Sequence, residues 1–246
     1  MFSIQHVIPY LPSGKVEFIV DSLQASIDDY KRTGNVFEKR TLPFSLFPLE
    51  DFQSFGRKTI YLPQNETRVI VTPIHDAATR GKEDVVALLM KCSDINWEHQ
   101  DVSPLSLALY NGNLDAAELL LNGGADPGCG TLITSLHAAA RRGLKKEIET
   151  FVNIHGIDVD VEDKDGATPV VHALRLPEEQ ARSTIRLLFK LGANPGVEIG
   201  ERGWTYSALA SVMGMRTLAD ELADGVLEEA AEEAADDRSC TMELER

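Results

Sequence analysis

The chain has 246 residues, with 39 acidic and 24 basic side chains and a formal net charge of −15 at pH 7. A surface this acidic repels phosphate backbones and anionic headgroups, so the composition argues against general nucleic-acid binding and against an anionic-membrane surface. We therefore expect no nucleic-acid partner and no membrane partner.

The first residues predict an intracellular protein. The start, MFSIQHVIPYLPSGK, has no basic residue ahead of its apolar stretch, and Pro9 and Pro12 interrupt it, which is untypical of a secretory signal. The three cysteines, Cys92, Cys129 and Cys240, are odd in number and scattered, so we expect free thiols and neither a disulfide framework nor a zinc site. The predicted location is the cytoplasm, with the nucleus as the alternative.

Residues 1–66 are predicted to form a capping region. From Ser13 to Lys31, apolar residues recur at three- and four-residue steps, which predicts an amphipathic helix over about residues 13–32. Its apolar stripe should cover the core of the element that follows, and binding a partner is the alternative. Residues 35–66 predict an irregular packed segment, in which TIYL and TRVIV favour a hairpin leading out of the region.

A short pattern then recurs along the chain. Its copies are TPIHDAATRG from Thr72, SPLSLALYNG from Ser103, TSLHAAARRG from Thr134, TPVVHAL from Thr168 and TYSALASVMG from Thr205. Threonine or serine caps a helix, proline fits the first helical position, and a glycine two turns later ends it. Each copy therefore predicts one short helix.

A second helix is predicted after each of these helices. Apolar residues follow at helical spacing, as between Val85 and Leu89. Gly124 and Gly192 suit the left-handed turn that ends a second helix, and Asp165-Gly166 predicts the tip of a hairpin-like finger. The fourth copy carries RLPEEQARS between its helices, which predicts a projecting loop around Pro177.

These features resemble the ankyrin repeat, whose period is about 33 residues. The resemblance rests on TPIH, TSLH and the endings LLLNGGADP and LLFKLGANP, and it covers about residues 65–230. It implies an all-α dominated fold, namely a solenoid of five helix-turn-helix units with hairpin-like fingers over residues 67–230. The last unit is degenerate and is taken as the terminal repeat, whose outer face must tolerate water. An acidic tail over residues 231–246 follows it.

The histidines of the pattern have a predicted structural role. His75 and His137 should bond back to the capping turn and fix the entry of the helix. The small pair Ala77-Ala78, repeated in the third copy, should let the neighbouring helix approach closely. His172 is ambiguous, because it is shifted one place from the histidine position of the pattern.

Ankyrin proteins generally bind partners through the fingers and the exposed side of the first helices. The resemblance therefore implies a non-catalytic protein–protein interaction scaffold or adaptor, without a cofactor, that binds an unidentified protein along a concave strip. By register, the strip contains Arg68, Val71, Thr79, Arg80, His99, Gln100, Val102, Tyr110, Asn111, Thr131, Ile133, Arg141, Arg142, Lys164, Asp165, Ala167, Glu201, Arg202, Trp204, Val212 and Met213.

Arginine, tyrosine and tryptophan are frequent binding anchors. The predicted partner-binding residues are Arg80, His99, Tyr110, Asn111, Arg141, Arg142, Arg202 and Trp204. Trp204 is among them because the slot between a fingertip glycine and the capping threonine is expected to point away from the core. The arginines are expected to gather positive charge that suits an anionic peptide or ligand, unless they are solvated or paired with the protein's own carboxylates.

Two other functions stay open. An enzyme with a small-molecule pocket in the concave face would use His99, Asp101, Tyr110 and Arg142 as acid, base and anion holder. The sequence shows no glycine-rich phosphate loop, metal-ligand cluster or nucleophile motif in its favour. A substrate adaptor for a ubiquitin ligase would use residues 1–66 as its docking part.

Overall fold

A computed structural model describes residues 20, 21, 23–25, 27, 28, 58–62, 67–91, 95, 96, 102–130, 132–200 and 203–227. For 58–62 and 67–71 it describes the backbone alone. The chain divides into two compact units, residues 1–130 and 131–246, which we call unit 1 and unit 2. Among the described residues, no helix combines the length and apolar character that a membrane crossing needs.

Unit 1 begins with helical residues and a hairpin. Helix α1 lies within residues 20–28, where the side chains of Val20 and Leu23 are buried, and the rest of the helix predicted over residues 13–32 lies outside the described residues. Strands β1 (Lys58–Leu62) and β2 (Thr67–Val71) pair antiparallel. The hairpin predicted from TIYL and TRVIV is therefore confirmed.

Two helix pairs complete the described part of unit 1. They are α2 (Pro73–Thr79), α3 (Glu83–Leu89), α4 (Pro104–Asn111) and α5 (Leu114–Asn122). The first helices α2 and α4 pack together, and so do the second helices α3 and α5. This is the stacking predicted for a helical repeat.

The described part of unit 2 contains three helix pairs. They are α6 (Ser135–Arg142), α7 (Lys145–Asn153), α8 (Pro169–Ala173), α9 (Glu178–Lys190), α10 (Tyr206–Val212) and α11 (Arg216–Ala223). The first helices α6, α8 and α10 pack in that order. The all-α dominated repeat fold predicted from the sequence is confirmed.

The turns between elements also follow the prediction. Gly124 and Gly192 have φ values of 89° and 101°, in the left-handed region that glycine enters without steric cost. In the finger before α8, the N–H of Gly166 donates to the carbonyl of Asp163 at 2.9 Å, which makes the predicted fingertip turn.

The loop predicted around Pro177 is wrong. Pro177 is the N-cap of α9, and the residues after it form the first turns of that helix. Glu178 and Glu179 suit this position because carboxylates are favourable at a helix N-terminus. The additional residues of this repeat therefore lengthen a helix, which reaches 13 residues, and they do not project as a loop.

The longer α9 stabilises the start of α11. Met215, the N-cap of α11, offers no side-chain hydrogen bond. Instead, the Glu178 carboxylate accepts the backbone N–H of Leu218 at 3.0 Å and the Thr217 hydroxyl. A side chain from the neighbouring repeat thus satisfies an end that would otherwise be uncapped.

Burial changes along unit 2. In α6, every residue from Ser135 to Ala140 is buried, whereas in α10 only Tyr206 and Ala210 are. Val212 and Met213 at the end of α10 are 72% and 48% exposed. This exposure agrees with the prediction that the fifth repeat presents an outer face to water.

Candidate functional site

The helix caps fix the direction of each first helix. Nδ1 of His75 accepts the N–H of Thr72 at 3.3 Å and lies 2.8 Å from the Thr72 hydroxyl. His137 makes the same two contacts with Thr134, at 3.3 and 2.8 Å. The predicted role of both histidines is confirmed.

The caps at Thr72, Thr134 and Thr168 also reach the start of the next repeat within their unit. Nε2 of His137 lies 3.0 Å from the carbonyl oxygen of Ala167, and the Thr168 hydroxyl lies 2.8 Å from the hydroxyl of Tyr206. Helices α6, α8 and α10 therefore begin side by side and run in one direction. At the other end, a Cβ placed on Gly143, just after α6, would lie 3.3 Å from Cδ1 of Leu176, so the end of α6 is next to the turn after α8.

Burial keeps the capping histidines neutral. It lowers the pKa of His75 to about 4, against a smaller opposite effect of the hydrogen bond to the Val102 carbonyl. Burial, helped by repulsion from His172, likewise lowers the pKa of His137 to about 4. A neutral imidazole can accept through Nδ1 and donate through Nε2, as these contacts require.

His172, which was ambiguous in the sequence, supports the finger before α8. Its Nε2 lies 2.8 Å from Oδ2 of Asp163, and both side chains are buried. Oδ1 of Asp163 accepts the N–H groups of Asp165 and Ala167, each at 2.9 Å. Burial raises the pKa of Asp163, but these hydrogen bonds outweigh it and leave the pKa below its usual value.

His137, Asp163 and His172 form a group that sequence reasoning missed. Their ligating atoms all lie within 4.8 Å of one another, and the side chains are buried. A metal ion, however, would have to displace hydrogen bonds that already occupy both ring nitrogens of His137 and Nε2 of His172. Within this group of described residues, Nδ1 of His172 is the one ring nitrogen that is buried without a hydrogen-bond partner. The group is best described as a hydrogen-bonded support for the finger.

In unit 1, the predicted strip contains a neutralised arginine. Arg80 follows α2, and its guanidinium lies 3.1 Å from Oδ2 of Asp76 and 2.5 Å from Oδ1 of Asp21. The hydrogen bond with Asp21 raises the pKa of Arg80, and that with Asp76 adds to it. Tyr110 is half-buried and Asn111 is exposed at the end of α4.

In unit 2, the strip is positively charged at the ends of α6 and α8 and apolar at the end of α10. Arg141 is half-buried and Arg142 exposed at the end of α6, and Arg175 is exposed just after α8. We call Arg141, Arg142 and Arg175 the arginine row. At the end of α10, the corresponding positions hold the exposed Val212 and Met213.

Arg175 is a candidate binding residue that the sequence analysis did not identify, although its spacing from the capping threonine matches that of Arg141. It stands seven residues after Thr168, as Arg141 stands seven after Thr134. The fourth copy of the pattern lacks the closing glycine, so the pattern was read only as far as Leu174.

Trp204 was chosen because the residue before a capping threonine was expected to point away from the core, and this general rule is wrong. The residue before the cap does not point away from the core as a rule, since Val102 and Ile133 at this position are 0% and 6% exposed. Trp204 is 36% exposed, and its backbone pairs with Ile199 at 2.8 and 3.0 Å. The aliphatic side chains of Val102 and Ile133 fit at the base of the finger, whereas the larger indole of Trp204 stays partly exposed.

Several predicted residues lie outside the described part of the chain. They are His99, Gln100, Asp101, Thr131, Glu201 and Arg202, together with the side chains of Arg68 and Val71. Tyr110 and Arg80 belong to unit 1, whereas Arg141 and Arg142 belong to unit 2. The four-residue catalytic pocket and the gathering of Arg80 with Arg141 and Arg142 therefore stay predictions.

Comparison with known proteins gives the following matches. Residues 60–131 match the family model of ankyrin repeats (3 copies). Over 107 residues, the sequence is 36% identical to ankyrin repeat and SOCS box protein 11 of Danio rerio, covering 42% of this chain and 36% of that protein. Over 111 residues, it is 32% identical to alpha-latrotoxin-Lg1a of Latrodectus geometricus, covering 42% of this chain and 8% of that protein. The chain thus spans well under two thirds of these relatives.

Proposed function

This chain carries ankyrin repeats, which are a protein-interaction module, and from that premise we propose that it is a non-catalytic scaffold for an acidic segment of a partner protein. The partner segment would lie along the part of the strip that belongs to unit 2, with its carboxylates on the arginine row. Its apolar residues would contact Trp204, Val212 and Met213.

The observation that carries the proposal is the charge of the arginine row. Arg141 and Arg142 end α6 and Arg175 follows the neighbouring α8, in a chain whose net charge is −15. The guanidinium group matches a carboxylate with two parallel hydrogen bonds, so an acidic peptide fits this row better than a neutral one.

Charge and apolar contact would contribute differently. An exposed arginine–carboxylate pair is worth at most about 1 kcal/mol, so the row alone gives weak binding and mainly sets orientation and association rate. Apolar burial contributes about 25 cal/mol per Å². The side chains of Val212 and Met213, which are 72% and 48% exposed, are therefore expected to supply much of the affinity.

The test is peptide selection followed by measured binding. Displayed peptides are selected against the full chain, and a labelled peptide of glutamate and leucine is titrated by fluorescence anisotropy. The Arg142→Ala/Arg175→Ala variant should bind this probe at least about tenfold more weakly, with a smaller salt dependence. Selection of peptides without carboxylates, or unchanged affinity in the variant, would contradict the proposal.

A second candidate is an adaptor with two binding parts. The name of the Danio rerio relative joins ankyrin repeats to a SOCS box, which favours a second docking part beside the repeats. In this chain we place that part in residues 1–66, as a substrate adaptor for a ubiquitin ligase would require. Affinity capture with the wild type and with Arg142→Ala/Arg175→Ala tests it: an adaptor loses one class of partner in the variant and keeps another, whereas a simple scaffold loses all.

A further inference from the structure

An acidic segment follows the last described residue of unit 2. Residues 228–246, EEAAEEAADDRSCTMELER, contain eight carboxylates and two arginines. Leu227, which precedes them, is 1% exposed. The segment is therefore attached at a fixed point on the same unit that carries the arginine row.

The length of the segment permits contact with the row. Nineteen residues span up to about 60 Å when extended. A folded unit of this size has a radius of gyration of only about 13 Å. The segment is therefore long enough to reach the arginine row.

Unit 1 already shows a flanking residue that neutralises the equivalent arginine. Arg80 stands eight residues after the cap Thr72, as Arg142 stands eight after Thr134. Arg80 is paired with Asp21, which lies outside the repeats in α1, and with Asp76 in its own helix. The position of Asp76 is taken in α6 by the uncharged Ala138.

We propose that the acidic segment of residues 228–246 docks on the arginine row of its own chain and competes there with an acidic partner. This inference rests on the proposed function, which identifies the arginine row as the surface that binds the partner. A tethered segment acts at an effective concentration in the millimolar range, so even weak contacts would keep the row largely occupied. Removing the segment's charge should then strengthen binding of an external acidic probe by about three- to tenfold.

A spin label on the segment tests docking directly. Cys240 lies within the segment, and the full chain with Cys92→Ser and Cys129→Ser carries a nitroxide there alone. At low salt, the label should broaden the backbone amide signals of Arg142 and Arg175, and high salt should remove the effect. Ser183 is unsuitable as a reference because the neighbouring Thr184 lies beside Gly143, so signals of Gly192, beyond the other end of α9, are used. Absent broadening at the row, or equal broadening at Gly192, would overturn the proposal.

A charge-matched pair of variants tests competition. The segment variant is Glu228→Gln/Glu229→Gln/Glu232→Gln/Glu233→Gln, and the control is Asp115→Asn/Glu118→Gln/Glu149→Gln/Asp220→Asn on exposed parts of the repeats. Only the segment variant should bind the glutamate–leucine probe three- to tenfold more tightly and lose the broadening. An equal gain in the control would mean that net charge alone is responsible, and would overturn the competition.

The two proposals fail in distinguishable ways. If the nitroxide broadens the amide signals of the row but the probe does not bind, the proposed function is refuted while docking of the segment on its own chain still stands. Probe binding that depends on Arg142 and Arg175, without broadening at the row, would refute this inference alone.

Discussion

The two units use one scaffold and differ in what surrounds the end of the first helix. Arg80 and Arg142 occupy the same position of the repeat. Each stands eight residues after the threonine that caps its helix, and in both caps the threonine contacts a histidine. Arg80 meets Asp76 from its own helix, whereas the equivalent residue in α6 is Ala138. The repeat therefore fixes the position of the arginine, whereas the residue a turn earlier is acidic in α2 and uncharged in α6. The predictions below test first what the units share and then how they differ.

The largest expected effect is a loss of stability in acid that both units share. The pKa of His75 and of His137 is about 4 in the folded chain against 6.5 unfolded, so only the unfolded state gains protons as the pH falls through this range. Stability is therefore full above about pH 6.5 and is lost towards pH 4, by about 3 kcal/mol for each histidine at most. Urea unfolding at a series of pH values measures the slope.

The control for this loss is His75→Gln. This variant should be less stable at neutral pH, yet its unfolding free energy should depend less on pH between about 6.5 and 4.5. Wild-type stability that stays constant over this range would show that the caps are not buried neutral imidazoles.

The second effect tests the close approach of the first helices. Ala139 and Ala77 occupy equivalent positions and are both fully buried. Leucine at either position should cost about 1–3 kcal/mol or more, because the neighbouring helices would have to move apart. Denaturant melts of Ala139→Leu and Ala77→Leu should show losses of similar size. No loss in either would mean that the register of the repeats is misplaced.

The third effect concerns the capping hydroxyls. Thr72→Ala and Thr134→Ala should each cost about 1 kcal/mol, since the hydroxyl contacts Nδ1 of the capping histidine at 2.8 Å in both units. Thermal or chemical melts check this. A serine replacement at either position keeps the hydroxyl and should recover most of the loss.

The smallest effect tests the difference between the units. Ala138→Asp gives α6 the carboxylate that Asp76 gives α2. Because Ala138 is fully buried, the new carboxylate should lower the stability of the fold, while its pair with Arg142 should be worth about 0.3–0.5 kcal/mol. Affinity for the glutamate–leucine probe should therefore fall by about twofold. Ala138→Asn, which adds the same bulk without charge, is the control. Equal losses in both variants would exclude the charge as the cause.

The sequence was most informative where the chemistry is local. Thr72 and His75 are three residues apart, so their contact follows from helix geometry, and Gly124 and Gly192 reveal turns that only glycine adopts cheaply. The hairpin and the stacking of helix pairs followed from patterns of the same short range.

The sequence was less informative where residues meet through space. The contact of His172 with Asp163 depends on how the finger folds back on α8, and no spacing encodes it. Pro177 was read as a loop because proline both breaks and begins helices, and the carboxylates after it decide between the two. Arg175 could have been found by counting from the cap, whereas the burial of Val102 depends on the packing around the finger.

The most direct test of the central claim compares an arginine variant of unit 2 with an arginine variant of unit 1, both in the full chain. The glutamate–leucine probe is titrated against wild type, Arg142→Ala/Arg175→Ala and Arg80→Ala, with the unfolding free energy of each measured in parallel. The account predicts at least about tenfold weaker binding for the unit 2 variant, within about twofold of wild type for Arg80→Ala, and folded protein throughout. Equal affinities for all three, or a loss for Arg80→Ala as large as for the unit 2 variant, would contradict it.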